Sequence, residues 1–155
     1  MNDAFRKFVE SLHPSFERLI AMTPVTPASL PKNAPRSCIY LFSEADCHLY
    51  VGRTRNLRQR MRQHTLPASQ HNQAALAFKL ACEGCGKTPV RYVKDEGRAR
   101  LAEDAEFISA FTTAKCRVRA MDLRFVEELE PTRQALLEIY VSVALRTPYN
   151  DFNTH

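Results

Sequence analysis

Two short apolar segments constrain the fold more than anything else in the chain: Cys38 to Phe42 (CIYLF) and His48 to Gly52 (HLYVG). Both are rich in β-branched and aromatic residues, which suit a pleated surface. Only Ser43 to Cys47 separate them, and that spacing predicts an antiparallel hairpin. A turn centred on Ala45 pairs Ile39 with Val51 and Leu41 with Leu49, and sets Tyr40 opposite Tyr50. Directly opposed residues share a face of the sheet, so the two tyrosines are expected side by side. A slip of one residue would part them.

Around the hairpin the pattern is mostly helical. Phe5, Phe8, Val9, Leu12, Phe16, Leu19 and Ile20 recur at steps of three and four, and Pro14 within the run predicts a kink or two shorter helices. Residues 23–37 carry Pro24, Pro27, Pro31 and Pro35 and read as a semi-extended connector. Asn56 is placed to cap a helix running to about His64. Residues 72–83 and 98–115 read as helices, the latter with Leu101, Ala105, Ile108 and Phe111 on one side. Residues 89–95 (PVRYVKD) suggest a minor strand, and Arg117 to Val126 a further one. Pro131 suits a first helical turn, and that helix should end near Arg146, before Pro148. The expected fold class is α/β in the broad sense, more narrowly α+β: a small antiparallel-rich three-stranded sheet flanked by helices, with an extra N-terminal helix. We divide the chain into an accessory helical element (1–22), a proline-rich connector (23–37) and a core domain (38–155), with an insertion expected at 66–116.

Charge and cysteine usage bound the function. Lys and Arg number 22 against 17 Asp and Glu, a net charge of +5, which favours anionic partners, nucleic acid first among them. The five cysteines are odd in number and the opening MNDAFRKF has no apolar signal core, so a reduced cytoplasmic setting is expected. No apolar run approaches the ~20 residues that span a bilayer, so no membrane partner is expected. Cys82 and Cys85 form a C-x-x-C pair, but zinc wants four ligands and no second pair follows. A thiol or zinc protein centred on this pair is a competing reading that metal analysis would decide.

Residues 40–64 offer the groups that phosphodiester hydrolysis requires. A water must lose its proton, charge on the phosphoryl oxygens must be neutralised, and the leaving oxygen must be stabilised. Tyr40 and Tyr50 can orient or deprotonate a water. Gly52 admits a close approach. Arg53, Arg55, Arg58, Arg60 and Arg62 follow in quick succession. On the predicted helix, Leu57 and Met61 point to the core, Arg60 and His64 share one flank, and Arg58 and Arg62 the other. Arg60 and His64 are thus candidates for the site, while Arg53, Arg55, Arg58 and Arg62 would track phosphates.

At this point the chain resembles the GIY-YIG nuclease family. CIY at 38–40 matches the first signature triplet and YVG at 50–52 the second, at the usual separation. The family's arginine, ten residues beyond the second signature tyrosine, corresponds to Arg60, and a histidine one turn later to His64. A glutamate on a later helix and an asparagine a dozen residues on correspond to Glu138 and Asn150 in LLEIYVSVALRTPYN. The resemblance covers residues 38–64 and about 117–153. It implies a DNA endonuclease with one Mg²⁺ or Mn²⁺ ion held by Glu138, and no nucleotide cofactor. A signature tyrosine would prepare the water, Arg60 would stabilise the transition state, and Asn150 would support the site. Two positions depart from the pattern. Cys38 replaces the first glycine, and Arg53 stands where a lysine is frequent. Arginine keeps the charge but cannot serve as a general base.

Plainer readings exist for each residue. Half-buried strand tyrosines, a solvated arginine face and a turn asparagine would account for Tyr40, Tyr50, the arginine run and Asn150. Gln134, Glu138, Ser142 and Arg146 repeat every four residues, as a wet stripe on an amphipathic helix would. A module of the same fold that binds nucleic acid without cutting it is the alternative function, motivated by Cys38.

Overall fold

The computed structural model describes residues 1–86 and 103–152. Its centre is the hairpin of β1 (Cys38–Glu44) and β2 (Cys47–Thr54). The strands run longer than the apolar segments and meet at a two-residue turn, Ala45-Asp46. Both turn residues have positive φ, 48° and 64°, as the twist of a type I′ hairpin requires. The turn pairs Glu44 with Cys47 and Ser43 with His48. Carried on unchanged, that register would put Tyr40 against Val51 and part the two tyrosines. It does not continue, because the pairing shifts between Phe42 and Ser43 and leaves Leu49 as an extra residue in β2. Beyond the bulge Phe42 opposes Tyr50, Leu41 opposes Val51 and Tyr40 opposes Gly52. The expected Tyr40–Tyr50 pairing is therefore off by two residues. A two-residue shift preserves the face, so both tyrosines still lie on one side.

β3 (Asp122–Glu127) pairs antiparallel with β1 on its other edge, giving the order β2-β1-β3. The strand starts later than the predicted Arg117. Residues 117–120 instead finish a helix, because Val118 to Met121 is a helical step of three and alternation begins only at Met121. The central strand β1 is covered on both faces. Cys38, Tyr40 and Phe42 face a core shared with α3 (Leu57–Thr65), α4 (Ala75–Gly84) and α5 (Ala105–Ala120). Ile39 and Leu41 face a second core with α2 (His13–Ala21) and α6 (Pro131–Leu145), built around Leu12, Leu19, Leu137 and Val141, while α1 (Asp3–Glu10) contributes no buried residue. The chain is thus α+β, a three-stranded antiparallel sheet between two helical layers.

Local signals explain most boundaries. The N-terminal run divides into α1 and α2, with Pro14 in the first turn of α2. Leu12 and Leu19 are fully buried, whereas Phe5 and Ile20 at the edges of the predicted face are exposed. The connector lies along the outer edge of β3, where Val25 and Leu123 exchange backbone hydrogen bonds of 3.0 and 2.7 Å. In α5 the buried residues are Phe107, Ala114, Lys115 and Val118, while the predicted Ile108 is exposed. Leu101 and the suggested strand at 89–95 lie outside the described residues. Among the described residues no helix is long and apolar enough to cross a membrane.

Candidate active site

Tyr40 is the hub of the tyrosine-bearing face. Its ring is 1% exposed and packs edge-on to Phe42 and His64. α3 delivers two partners to its hydroxyl. The Asn56 side chain accepts from Gln59 N and starts the helix. From that start Leu57, Met61 and His64 form the buried stripe, and Arg60 emerges beside it. Arg60 Nε donates to Tyr40 Oη at 3.1 Å, and His64 Nε2 lies 3.0 Å from the same oxygen. A guanidinium only donates, so Oη accepts from Arg60. The Tyr40–His64 contact then takes its proton from either side. Arg60 Nη1 is held in turn by Gln63 Oε1 at 3.1 Å and by the carbonyl of Gln73 at 2.9 Å. Tyr50 is half-buried, its ring centroid 6.4 Å from that of Tyr40 and 6.1 Å from that of His64.

Burial sets the protonation states. It raises the pKa of Tyr40 far above the usual tyrosine range, with the Arg60 charge opposing. Tyr50 is raised by the same cause, again against Arg60. His64 is held well below its usual 6.5, first by burial and then by Arg60, so it is neutral. Its Nδ1 is buried without a hydrogen-bond partner among the described residues.

Gly52 explains why the cluster closes. It sits directly across from Tyr40, and a Cβ there would fall 2.3 Å from Tyr40 Oη. What uses the space above this glycine is the Tyr40 ring itself.

Glu138 reaches the site from the other face of the sheet. Arg53, paired with Ile39, points to that face, and its Nε meets Glu138 Oε2 at 3.1 Å. The four-residue stripe of α6 is not the solvated face that a plain amphipathic helix predicts. Gln134 and Ser142 are buried, and Glu138 keeps only 18% of its side chain exposed. The stripe follows β2: Gln134 Nε2 donates to Thr54 O, Glu138 binds Arg53, and Ser142 meets Thr147, which donates to Asn150. Burial raises the pKa of Glu138, while Arg53 and Arg60 pull it back down. The two halves of the site therefore interact electrostatically around the edge strand.

Asn150 does not face the tyrosines. Its amide accepts from Val51 N at 2.9 Å and donates to Val51 O at 2.7 Å, and Tyr149 N donates to the carbonyl of the bulge residue Leu49. Residues 149 and 150 thus cover the open edge of β2. Arg55 and Arg62 are exposed. Arg58 is committed to the connector, donating to Pro31 O at 2.9 Å and more weakly to Lys32 O. Cys82 is buried and Cys85 ends α4 as a free thiol. Sequence pattern assigns no site role to Gln63 or Gln73, and places Gln134 only in the polar stripe. Gln63 was findable, three residues from Arg60 on the same helix face, whereas the Gln73 carbonyl leaves no signal in a side-chain pattern.

The donor set suits one kind of metal. Among the described residues no three His, Cys, Asp or Glu side chains gather to enclose an ion. Glu138 is a single carboxylate at a partly open edge. A hard ion such as Mg²⁺ is satisfied by one or two carboxylates, with waters and substrate phosphate completing its shell.

No curated protein and no solved structure shows significant similarity to the chain. Residues 36–150 match the family model of the GIY-YIG catalytic domain, a span that includes the hairpin, α3 and α6. The chain belongs to the GIY-YIG nuclease family.

Proposed function

We propose that the protein is a divalent-metal-dependent endonuclease that hydrolyses DNA phosphodiesters. The observation carrying this reading is the fixation of Arg60, tied back through Nε and Nη1 to Tyr40, Gln63 and Gln73, with a half-buried carboxylate coupled to it. A guanidinium held this way presents its charge at a fixed place and needs no reorganisation as the phosphoryl oxygens become more negative.

Of the two tyrosines, Tyr50 meets the attacking water. Tyr40 is closed off and its hydroxyl is occupied, whereas Tyr50 retains open surface. Tyr50 Oη orients the water, Arg60 takes the developing charge, and Tyr40 with His64 keeps Arg60 in place. Glu138 would hold the ion with Arg53 beside it. When bound, the ion supplies Lewis-acid polarisation of the phosphoryl group and stabilises the leaving oxygen. Asn150 acts by fixing the strand that carries Tyr50. Residues 66–116 are assigned to substrate selection and 1–22 to an accessory layer. The five free thiols are in keeping with a reducing cytoplasm.

The non-cleaving alternative rested on Cys38. That thiol is buried in the core, where burial pushes its pKa up to about 12, and it touches none of the reactive groups by hydrogen bond. The test uses supercoiled and branched DNA with Mg²⁺, with Mn²⁺ and with chelator. Nicking is expected with metal and lost with chelator, in Glu138→Ala and in Arg60→Ala. Intact DNA under every condition, or nicking that ignores Glu138→Ala, refutes the proposal.

A further inference from the structure

We infer that the outward face of α3, with the loop after it and the proline connector, is a furrow for the nucleic-acid strand leading away from the cut, an inference that rests on the nuclease reading. The main groove, about 550 Å³, is lined by Gln59, Arg62, Gln63, Ser69 and Gln73 among others. Two smaller hollows of about 230 and 290 Å³ share Arg58 with it and add Lys32 and Arg36 on one side and Arg119 on the other. The furrow begins at the site, because Gln63 and Gln73 are the residues that hold Arg60 Nη1.

Charge decides what lies in it. Among the described residues no carboxylate lines any of the three hollows. The sequence has no acidic residue between Asp46 and Glu83, nor between Glu17 and Glu44. Among the described residues the furrow combines cations with carboxamides. Among the described residues the Gln59 amide and the Arg62 guanidinium bond to no other side chain, although both line the groove. Arg58 is spent on the connector, so Lys32, Arg62 and Arg119 are the cations we assign to phosphates. All three are exposed. A helix the length of α3 spans about 13 Å, room for about four nucleotide steps of one duplex strand. Glutamine and arginine side chains also match base edges, which gives Gln59 the means to read sequence.

The experiment measures binding, apart from cleavage, by anisotropy of labelled duplex DNA in chelator over a salt series. Three phosphate contacts steepen the dependence of log affinity on log salt by about 2.7. Between about 50 and about 200 mM salt the parent should then lose about 40-fold more affinity than the Lys32→Ala/Arg62→Ala/Arg119→Ala variant. The control, Arg6→Ala/Lys7→Ala/Arg18→Ala, removes the same charge from the helices on the opposite face of the sheet and should keep the parent's slope. Arg62→Gln alone should lower the slope by about 0.9, which guards against misfolding of the triple variant. If the parent binds and the furrow variants keep its slope, the furrow is refuted while the nuclease reading stands. If the parent binds no DNA, both fail. Displacement by polyglutamate as effective as by DNA would also overturn it, since the furrow would then be an acidic-protein site.

Discussion

Replacing Gly52 with alanine tests the site at its tightest point. The added Cβ would lie 2.3 Å from Tyr40 Oη and 2.4 Å from Cζ. Ordinary contact starts near 3.4 Å, so the end of the ring must retreat by about 1.1 Å. A surface tyrosine would swing aside at little cost. Tyr40 is 1% exposed, with Phe42 and His64 ring centroids at 5.7 and 5.6 Å, so it has nowhere to go without strain. The retreat also pulls Oη off bonds of 3.1 Å to Arg60 and 3.0 Å to His64. Overpacking of this kind costs about 1–3 kcal/mol, and a hydrogen bond to a charged group about 1.5–3 kcal/mol. Together they predict a loss of about 2.5–6 kcal/mol from a total stability on the order of 5–15 kcal/mol. Urea unfolding should show this as a lower midpoint at unchanged slope. An Arg60 shifted by about 1 Å should slow cleavage by about 10²-fold under conditions where the variant is folded. Tyr40→Phe gives the internal check. It should cost less in the Gly52→Ala background than in the parent, because the bonds it removes are already broken there. A loss below about 1 kcal/mol, or full additivity of the two changes, would refute the wedged-ring account.

Other consequences follow from the same geometry. Arg53→Ala frees Glu138 Oε2 and removes a repelling cation, so Mn²⁺ should bind the DNA-free protein more tightly in electron paramagnetic resonance titrations; unchanged or weaker binding would contradict that role. Because burial raises the pKa of Glu138 above 4.5, its carboxylate protonates early on acidification. Mn²⁺ binding should therefore fall off at a higher pH than an exposed glutamate would dictate, and a midpoint at or below 4.5 would count against it. His64 is depressed by burial, so its contribution to stability is complete above 6.5 and is lost as pH falls toward its folded-state pKa. Unfolding midpoints across that window should decline in the parent and flatten in His64→Gln, and parallel curves would exclude the assignment. Asn150→Ala leaves the Val51 N–H and C=O without their clamp and should cost about 1–3 kcal/mol, with faster amide exchange along β2 as the specific readout.

The elements legible in the sequence were those governed by local rules. Asn56 and Pro131 mark helix starts through capping and ring geometry, and each does so in the structure, while Pro14 divides the N-terminal run into two shorter helices. The hairpin was legible as a pairing but not in register, because a bulge depends on how the edge strand is held from outside. Val118 and Met121 misled in a related way, since a helical step that runs straight into a strand resembles one long β segment. In the site, the spacing of Arg60 and His64 within α3 could be read from helix phase. Their convergence on Tyr40 could not, because it depends on how α3 packs against β1. Glu138 was ambiguous for a physical reason: a polar stripe has the same period whether it meets water or a strand edge.

That ambiguity is resolved by what the stripe touches, and the contacts explain why a bulge and a glycine stand so close together. The tight turn alone would put Tyr40 and Tyr50 on opposite faces. One extra residue at Leu49 restores them to one face, but it leaves a kinked edge strand with an unpaired carbonyl. Tyr149 supplies the donor for that carbonyl, Asn150 pairs with Val51, and Gln134 reaches Thr54. These contacts bring α6 alongside β2, and Glu138 comes with it to Arg53. On the tyrosine face, Gly52 lets the Tyr40 ring lie flat over the same strand and meet Arg60. The carboxylate and the guanidinium are thus set by opposite sides of β2, a strand held at both edges. No direct bond joins the two charges, and Arg60 acts on Glu138 through space.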